Sequence, residues 1–427
     1  MNPLDTSELE RVLADQPGWL RDSRVRARAV YDKLSMPRSE EEMWRYVDLD
    51  FDLTDYSSAA GVLEDLSAND ALAAALGEVA AGVRVVDGIA SVGPVSGDVI
   101  VASLRDITAD AEAVARRLVG SGVAEDTDIF AAAHGAFSPD AVIVHAPPRS
   151  VTRLPVFIDI TAAADHAVSF PHVIVDAGDS SQLSVIVGYR SPDALDAVVV
   201  PRLEITAGTN ANVDVTVIQH WGAATRSIAH ARAVAADDAS VTLAEAGLGG
   251  SLSRLHLEVD LEGRGSNADV VGAYFGELHQ ILDYRYFMRH VGESTNSNMY
   301  LKGGVEDEAL SVFTGMIRIE ETAQRTNAFQ TNRNLLLSDG AAAQSVPNLE
   351  ILANDVRCGH GSTVGPLEEE QRYYLMSRGL DRRRADRLQV RGFFQDALNR
   401  FPAATVAEPV QEWINAKYVA AQQEGRV

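Results

Sequence analysis

A thiol and an imidazole stand two residues apart in the stretch Asp355-Val-Arg-Cys-Gly-His-Gly-Ser-Thr-Val-Gly365, and Cys358 is the only cysteine among 427 residues. On an extended chain, residues two apart project to the same side, so Cys358 and His360 emerge together if this stretch is a strand. Gly359 and Gly361 flank the imidazole and leave no side chains in the way; glycines so placed also permit a turn with positive φ. A thiolate and a neutral imidazole are both good ligands for transition metals, and the thiolate is a sulfur nucleophile as well. The pair is a candidate metal or sulfur site. The competing reading is a cysteine packed as a small hydrophobe beside a satisfied histidine.

One cysteine bounds that chemistry. It makes no internal disulfide, which fits a reducing compartment. It cannot hold an iron–sulfur cluster unaided either, because such clusters take about four protein ligands. With 37 basic and 61 acidic residues the net charge is −24, which argues against non-specific binding to nucleic acid or an anionic membrane. No basic segment followed by an apolar core opens the chain, and no stretch approaches the ~20 apolar residues of a spanning helix. A cytoplasmic protein is expected.

Three regions are expected to position the pair: 1–139, mixed helical; 140–365, strand-rich; and 366–427, helical. In the first, Ser7 with Glu10 and Ser39 with Glu42 have capping-box spacing ahead of two short helices. Ala71 to Ala81 is an alanine-rich helix candidate, and Val83 to Val101 reads as strands and turns. From Ala141 onward short apolar runs alternate with turns such as Asp176-Ala-Gly-Asp179 and Glu262-Gly-Arg-Gly-Ser-Asn267. That spacing suits a sandwich, a barrel or a β-helix; the long unbroken series of strands favours the β-helix, although no strict repeat is visible. In the last region Leu367 to Arg378 forms a helix closed by Gly379, and Asp381 caps a second helix ending near Gly392 with a further piece through Leu398. Pro409 opens the last helix, with Trp413, Ile414 and Tyr418 on one face. These helices are expected to cover the exposed edge of the solenoid and to present a surface to a partner.

The segments Gln330-Thr-Asn-Arg-Asn-Leu-Leu-Leu-Ser-Asp-Gly340, Pro347-Asn-Leu-Glu-Ile351, the Cys358 stretch, and Glu368-Glu-Glu-Gln-Arg-Tyr-Tyr-Leu-Met-Ser-Arg-Gly379 closely resemble the SufB/SufD family of iron–sulfur cluster assembly proteins. Trp44-Arg-Tyr46 resembles an N-terminal signature of that family, read here as packing. The SufD branch is the better match: the SufB type carries Glu where Gly361 stands, and the SufD pattern differs here only by Ser362 in place of Ala. Where the family reads Asn-Thr-Ala-Phe, this chain has Ala132-Ala-His134-Gly-Ala-Phe137, so His134 is treated as structural.

The resemblance implies a right-handed parallel β-helix core in a mainly β protein, pairing with SufB, and contact with the ATPase SufC through the C-terminal region. Within that region Tyr373, Tyr374, Leu375, Arg378, Phe393 and Phe394 are the candidate partner-binding residues. It further implies a transient iron–sulfur cluster shared with the partner subunit at His360 and Cys358, none held tightly by the isolated chain, and no catalytic residue. Whether a homodimer forms when SufB is missing stays open.

No Gly-x-x-x-x-Gly-Lys-Ser/Thr loop, His-Glu-x-x-His or Cys-x-x-Cys occurs, so ATP hydrolysis by this chain is not expected. Gly247-Leu-Gly-Gly250 reads as a solenoid turn, and His256 with Glu258 as one polar strand face. The alternative reading is a parallel β-helix enzyme that cleaves acidic polysaccharide. A strongly acidic chain would repel that substrate.

Overall fold

The computed structural model describes residues 3–59 and 70–427. Their centre is a β-solenoid of about eight turns. Each turn adds one strand to a 12-stranded sheet and one to a 10-stranded sheet, so that neighbours in a sheet come from consecutive turns. Pairing between turns is parallel throughout, for example Asn212–His220 on Ser240–Gly247 and Asn267–Gly276 on Asn296–Val305. Among the described residues antiparallel pairing occurs only where the solenoid starts, at Ala81–Val86 with Ile89–Val95 and at Ile100–Ser103 with Val142–Ala146. The sheets therefore reach back before residue 140, as the strand-like run Val83 to Val101 suggested.

The turns explain how the coils stack without a sequence repeat. At one corner a residue in the left-handed region recurs in every coil: Arg149, Ser180, Asn210, Asp238, Gly265, Ser294 and Arg325. Each donates its N–H to a carbonyl of the next coil, as in Asn210 to Asp237 at 2.8 Å and Arg325 to Asp355 at 2.6 Å. The backbone makes these bonds, so the side chain is free to vary: Gly265, Asn210 and Asp238 are types that this conformation favours, whereas Arg149, Ser180, Ser294 and Arg325 are not. Inside, the two sheets bury Val, Ile, Leu, Ala and Tyr in one continuous core.

Helices cover both outer faces. On the 12-stranded sheet lies Ile129–Phe137, entirely buried, with Phe130 against Trp44 and Phe137 against Tyr31. Trp44 is packing, as expected, and carries the Arg254 guanidinium 4.0 Å above its ring. His134 is buried, its Nε2 3.3 Å from the Pro171 carbonyl. Two capping expectations are corrected. The first helix, Thr6–Ala14, is capped by Asp5, whose carboxylate accepts from Ser7 and Glu8 N–H; a carboxylate at that position is already the better acceptor for the helix start. Glu42–Trp44 is a single 3₁₀ turn without a side-chain cap, because Trp44 is drawn into the core. The helix expected from Ala71 is Asp70–Leu76, and the chain is already a strand at Ala81.

The C-terminal helices are Glu369–Ser377, Arg382–Leu398 and Ala407–Glu424. Gly379 at φ +94° and the Asp381 carboxylate, accepting from Arg384 N–H at 2.9 Å, mark the boundary between the first two. The middle helix runs straight through Gly392 instead of ending there, held down by Val390, Phe394, Ala397 and Leu398. These residues and Ile414 pack on the outer face of the 10-stranded sheet, at Val271, Ala273 and Phe275. That corrects the expected capping role: the helices cover a face, and the edge of the solenoid is left open, because the apolar side chains they must bury lie on the face.

Candidate functional site

Cys358 and His360 lie in Val356–Gly365, the last strand of the 10-stranded sheet, paired on one side only, with Thr326–Leu336. The companion strand Ala342–Ile351 likewise ends the other sheet. In Thr326–Leu336 the alternate residues Thr326, Ala328, Gln330, Asn332 and Asn334 are buried inside the solenoid. Their register partners are Val356, Cys358, His360, Ser362 and Val364. The candidate pair thus continues the inward-facing row into a coil that has no further coil stacked on it. Cys358 still packs on the core and is half-buried, while His360 is exposed.

Burial pushes the Cys358 thiol above its ordinary value of 9.0, with a smaller opposing effect from a backbone hydrogen bond at Gly359. The thiol is protonated near neutral pH, and becomes a ligand or nucleophile only when a cation or partner stabilises the thiolate. Both glycines are in extended strand. On the outer face Phe329 lies across Gly359, where an added Cβ would come within 3.0 Å of the ring, whereas Gly361 has open space around it. The opening beside His360 is real on the Gly361 side only.

Beneath the pair is a polar layer that sequence reasoning passed over. Tyr274 Oη donates to Asn334 Oδ1 at 2.7 Å and accepts from Asn332 Nδ2 at 3.0 Å; Gln330 Nε2 donates to the Asn348 carbonyl at 3.1 Å. The side-chain oxygen of Gln330 is buried without a hydrogen-bond partner, in register below His360. The signal was present in Gln330-Thr-Asn-Arg-Asn334, whose amides alternate as an inward row must. Around the open coil Phe329, Ile351, Leu352 and Val364 are exposed hydrophobics. Among the described residues no three His, Cys, Asp or Glu side chains converge as a metal site, so Cys358 and His360 could supply only part of a ligand set.

The second candidate surface divides. Tyr373 is 78% exposed and Tyr374 56%, with Arg378 over the Tyr374 ring and Leu375 half-buried. Leu375 and Phe393 line a groove together with Arg333, Thr363, Pro366 and Leu388. Phe393 is half-buried under the Lys302 ammonium, 4.6 Å from its ring. Phe394 is fully buried against Phe275 and Gly304, so its side chain belongs to the core and not to an accessible surface. The face of His256 and Glu258 is paired, Nε2 to Oε1 at 2.9 Å.

Residues 159–393 match the family described as the SUF system FeS cluster assembly SufBD core domain. The chain belongs to the SufBD family of iron–sulfur cluster assembly proteins. It is 30% identical over 300 residues to an iron–sulfur cluster assembly SufBD family protein of Mycobacterium tuberculosis, covering 68% of this chain and 74% of the relative. Against the iron–sulfur cluster assembly protein SufD of Bacillus subtilis the identity is 24%, over 94% of both chains. SufD of Escherichia coli is 28% identical over 219 residues, 51% of this chain and 52% of its own length. This SufBD chain is thus SufD-like, and its matched region contains the whole open coil. Membership in an assembly family replaces the polysaccharide-cleaving alternative. Among the described residues no helix is long and apolar enough to cross a membrane.

Proposed function

We propose that this chain is a non-enzymatic, cytoplasmic scaffold subunit that pairs with SufB through the open end of its solenoid and binds the ATPase SufC through its C-terminal helices. The observation that carries the reading is the unfinished last coil. Two strand edges with free N–H and C=O groups, flanked by Ile351 and Val364, form a template for another chain's strands. A second solenoid end docking there would bury the inward row, and would bring its own ligands over Cys358 and His360. In this reading the iron–sulfur cluster is cargo, assembled across the interface and not kept by the isolated subunit. His360 is the first-choice ligand, since neutral imidazole adds no negative charge to a chain of net charge −24. Cys358 is either a second ligand or a packed neighbour. A homodimer through the same edges competes when SufB is missing. Tyr373, Tyr374, Leu375 and Arg378, beside the groove at Phe393, are the proposed SufC contact.

Co-purification tests the arrangement. An Ile351→Lys, Val364→Lys double variant, co-expressed with SufB and SufC, should fold and retain SufC while losing SufB. Retention of SufB at wild-type stoichiometry would move the interface away from the open coil.

A further inference from the structure

Two buried arginines lie where the helix Arg21–Tyr31 packs on Ile129–Phe137, far in sequence from the open coil. Arg24 gives Nε to Gln16 Oε1 at 3.2 Å and Nη1 to the Gly135 carbonyl at 2.8 Å, both neutral acceptors. Its Nη2 is buried without a partner, and the carboxylates of Glu125, Glu204 and Asp140 act on it only through their charge. Arg202 gives Nη2 to the Ala131 carbonyl at 2.7 Å, and its Nε is also buried without a partner. Its Nη1 and Nη2 donate to the two carboxylate oxygens of Glu125, each at a long 3.4 Å. A guanidinium taken out of water is costly unless paired and hydrogen-bonded. Arg24 is pushed down to about 10, first by burial and then by the charge of Arg202.

Between these groups is a cavity of about 100 Å³ lined by Arg24, Arg26, Arg202, His172, Glu125 and Gly135 among others. Glu204, nearby, is committed elsewhere: it accepts from His172 Nε2 at 3.0 Å and from the N–H groups of Gly122 and Val123 at 3.1 Å. Burial holds His134 and His172 below their ordinary value, hence neutral. The cavity lining therefore includes two buried arginines, Arg26 at an exposed position, and the Glu125 carboxyl, itself pushed up by burial.

We propose that this cavity binds a small oxyanion of phosphate size between Arg24 and Arg202. A water needs ~10–15 Å³ of such space, so the cavity takes a group of a few heavy atoms and not a nucleotide. An anion with several oxygens would complete the bonds that Arg24 Nη2 and Arg202 Nε lack, in competition with the carboxylate that already takes both Nη groups of Arg202. Glu125 is the competing anion. It fits only because position 135 is glycine, where an added Cβ would stand 1.9 Å from its carboxylate oxygen. The same chemistry is offered by free phosphate and by a phosphate monoester whose ester group stays outside.

The test is calorimetric titration of the full chain, in chloride buffer near neutral pH, with inorganic phosphate and separately with glycerol phosphate. Saturable one-to-one binding is expected, weakened at least ~10-fold by Arg24→Gln and tightened several-fold by Glu125→Gln. Because loss of a buried arginine can unfold the helix pair, Arg26→Gln at the exposed position gives a second, milder weakening in a folded protein. Tighter binding of the monoester than of phosphate assigns an organic phosphate; the reverse order assigns the free ion, and both support the site. No saturable binding by wild type up to ~10 mM of either probe, or unchanged affinity in folded Arg24→Gln or in Glu125→Gln, overturns it.

Discussion

His360 is in register with Gln330, which is 1% exposed one coil below, yet its own imidazole faces solvent. One row of the solenoid interior is thereby continued into the open, with Cys358 above Ala328 in the same row. The proposed pairing would cover that inward-facing position.

Separate roles follow for the C-terminal aromatic residues. Tyr373→Ala with Tyr374→Ala should change stability by no more than about 0.5 kcal/mol, since both rings are exposed, while weakening SufC binding at least tenfold, or ~1.4 kcal/mol. Phe394→Ala should do the opposite, costing roughly 3–5 kcal/mol of stability through the cavity left against Phe275. Denaturant titration and a SufC pull-down on both proteins separate the two effects; unaltered SufC capture by the double tyrosine variant would place that contact elsewhere.

Asp283 is fully buried between Arg254 and Arg285, paired with both, and Arg254 and Arg285 in turn donate to the carbonyls of Met43 and Arg45. Asp283→Ala leaves two buried cations uncompensated and should destabilise the chain by about 3–5 kcal/mol. Loss of protection at Met43 to Arg45 in hydrogen exchange should accompany it. A variant as stable as wild type would mean that the arginines find other partners.

The last helix and Arg426 are tied to the solenoid beside a buried acid, through Lys417 to Glu277 and Arg426 to Asp307. Both carboxyl oxygens of Glu306 are buried without hydrogen bonds, near Arg426. Burial, with repulsion from Asp307 and Glu277, pushes its carboxyl from 4.5 up to about 8, against the pull of Arg426 and Lys417. A folded-state value above the unfolded one contributes stability at low pH that is lost as pH climbs from 4.5 to about 8. Glu306→Gln should remove that slope: its melting temperature should equal or exceed wild type above pH ~8 and gain least near pH ~5. Parallel melting-temperature profiles for the two proteins would contradict the buried-acid assignment.

Much of this was legible beforehand because strands at a buried core read as apolar runs, and because the Cys358 stretch and its neighbours carry a recognisable pattern. The coil repeat was not legible: its recurring left-handed corner is held by backbone bonds, so Arg149, Ser180, Asn210 and Asp238 share a conformation but no residue type. Ser7 has the capping-box spacing to Glu10, but Asp5 caps the helix two residues earlier and accepts from the Ser7 and Glu8 N–H groups instead. The continuous helix through Gly392 and the burial of Phe394 depend on what the sheet face offers them, which no local pattern states. The polar layer of Gln330, Asn332 and Asn334 was visible as alternation, but its inward direction required the register.

The thiol also makes a prediction. Held above its ordinary value and half-buried, Cys358 should alkylate with iodoacetamide near neutral pH much more slowly in the folded chain than after unfolding. Intact-mass time courses measure this. Equal rates would mean that the thiolate is accessible and activated without a partner.

Iron and acid-labile sulfide per complex, in His360→Ala and Cys358→Ala chains co-expressed with SufB and SufC, test the central proposal most directly. His360→Ala should assemble normally, because an exposed imidazole beside open space at Gly361 leaves no core cavity, yet its cluster content should fall to a small fraction of wild type. Cys358→Ala should lose less if the cysteine only packs. Wild-type iron and sulfide in an intact His360→Ala complex would contradict the role given to His360 in holding the cluster.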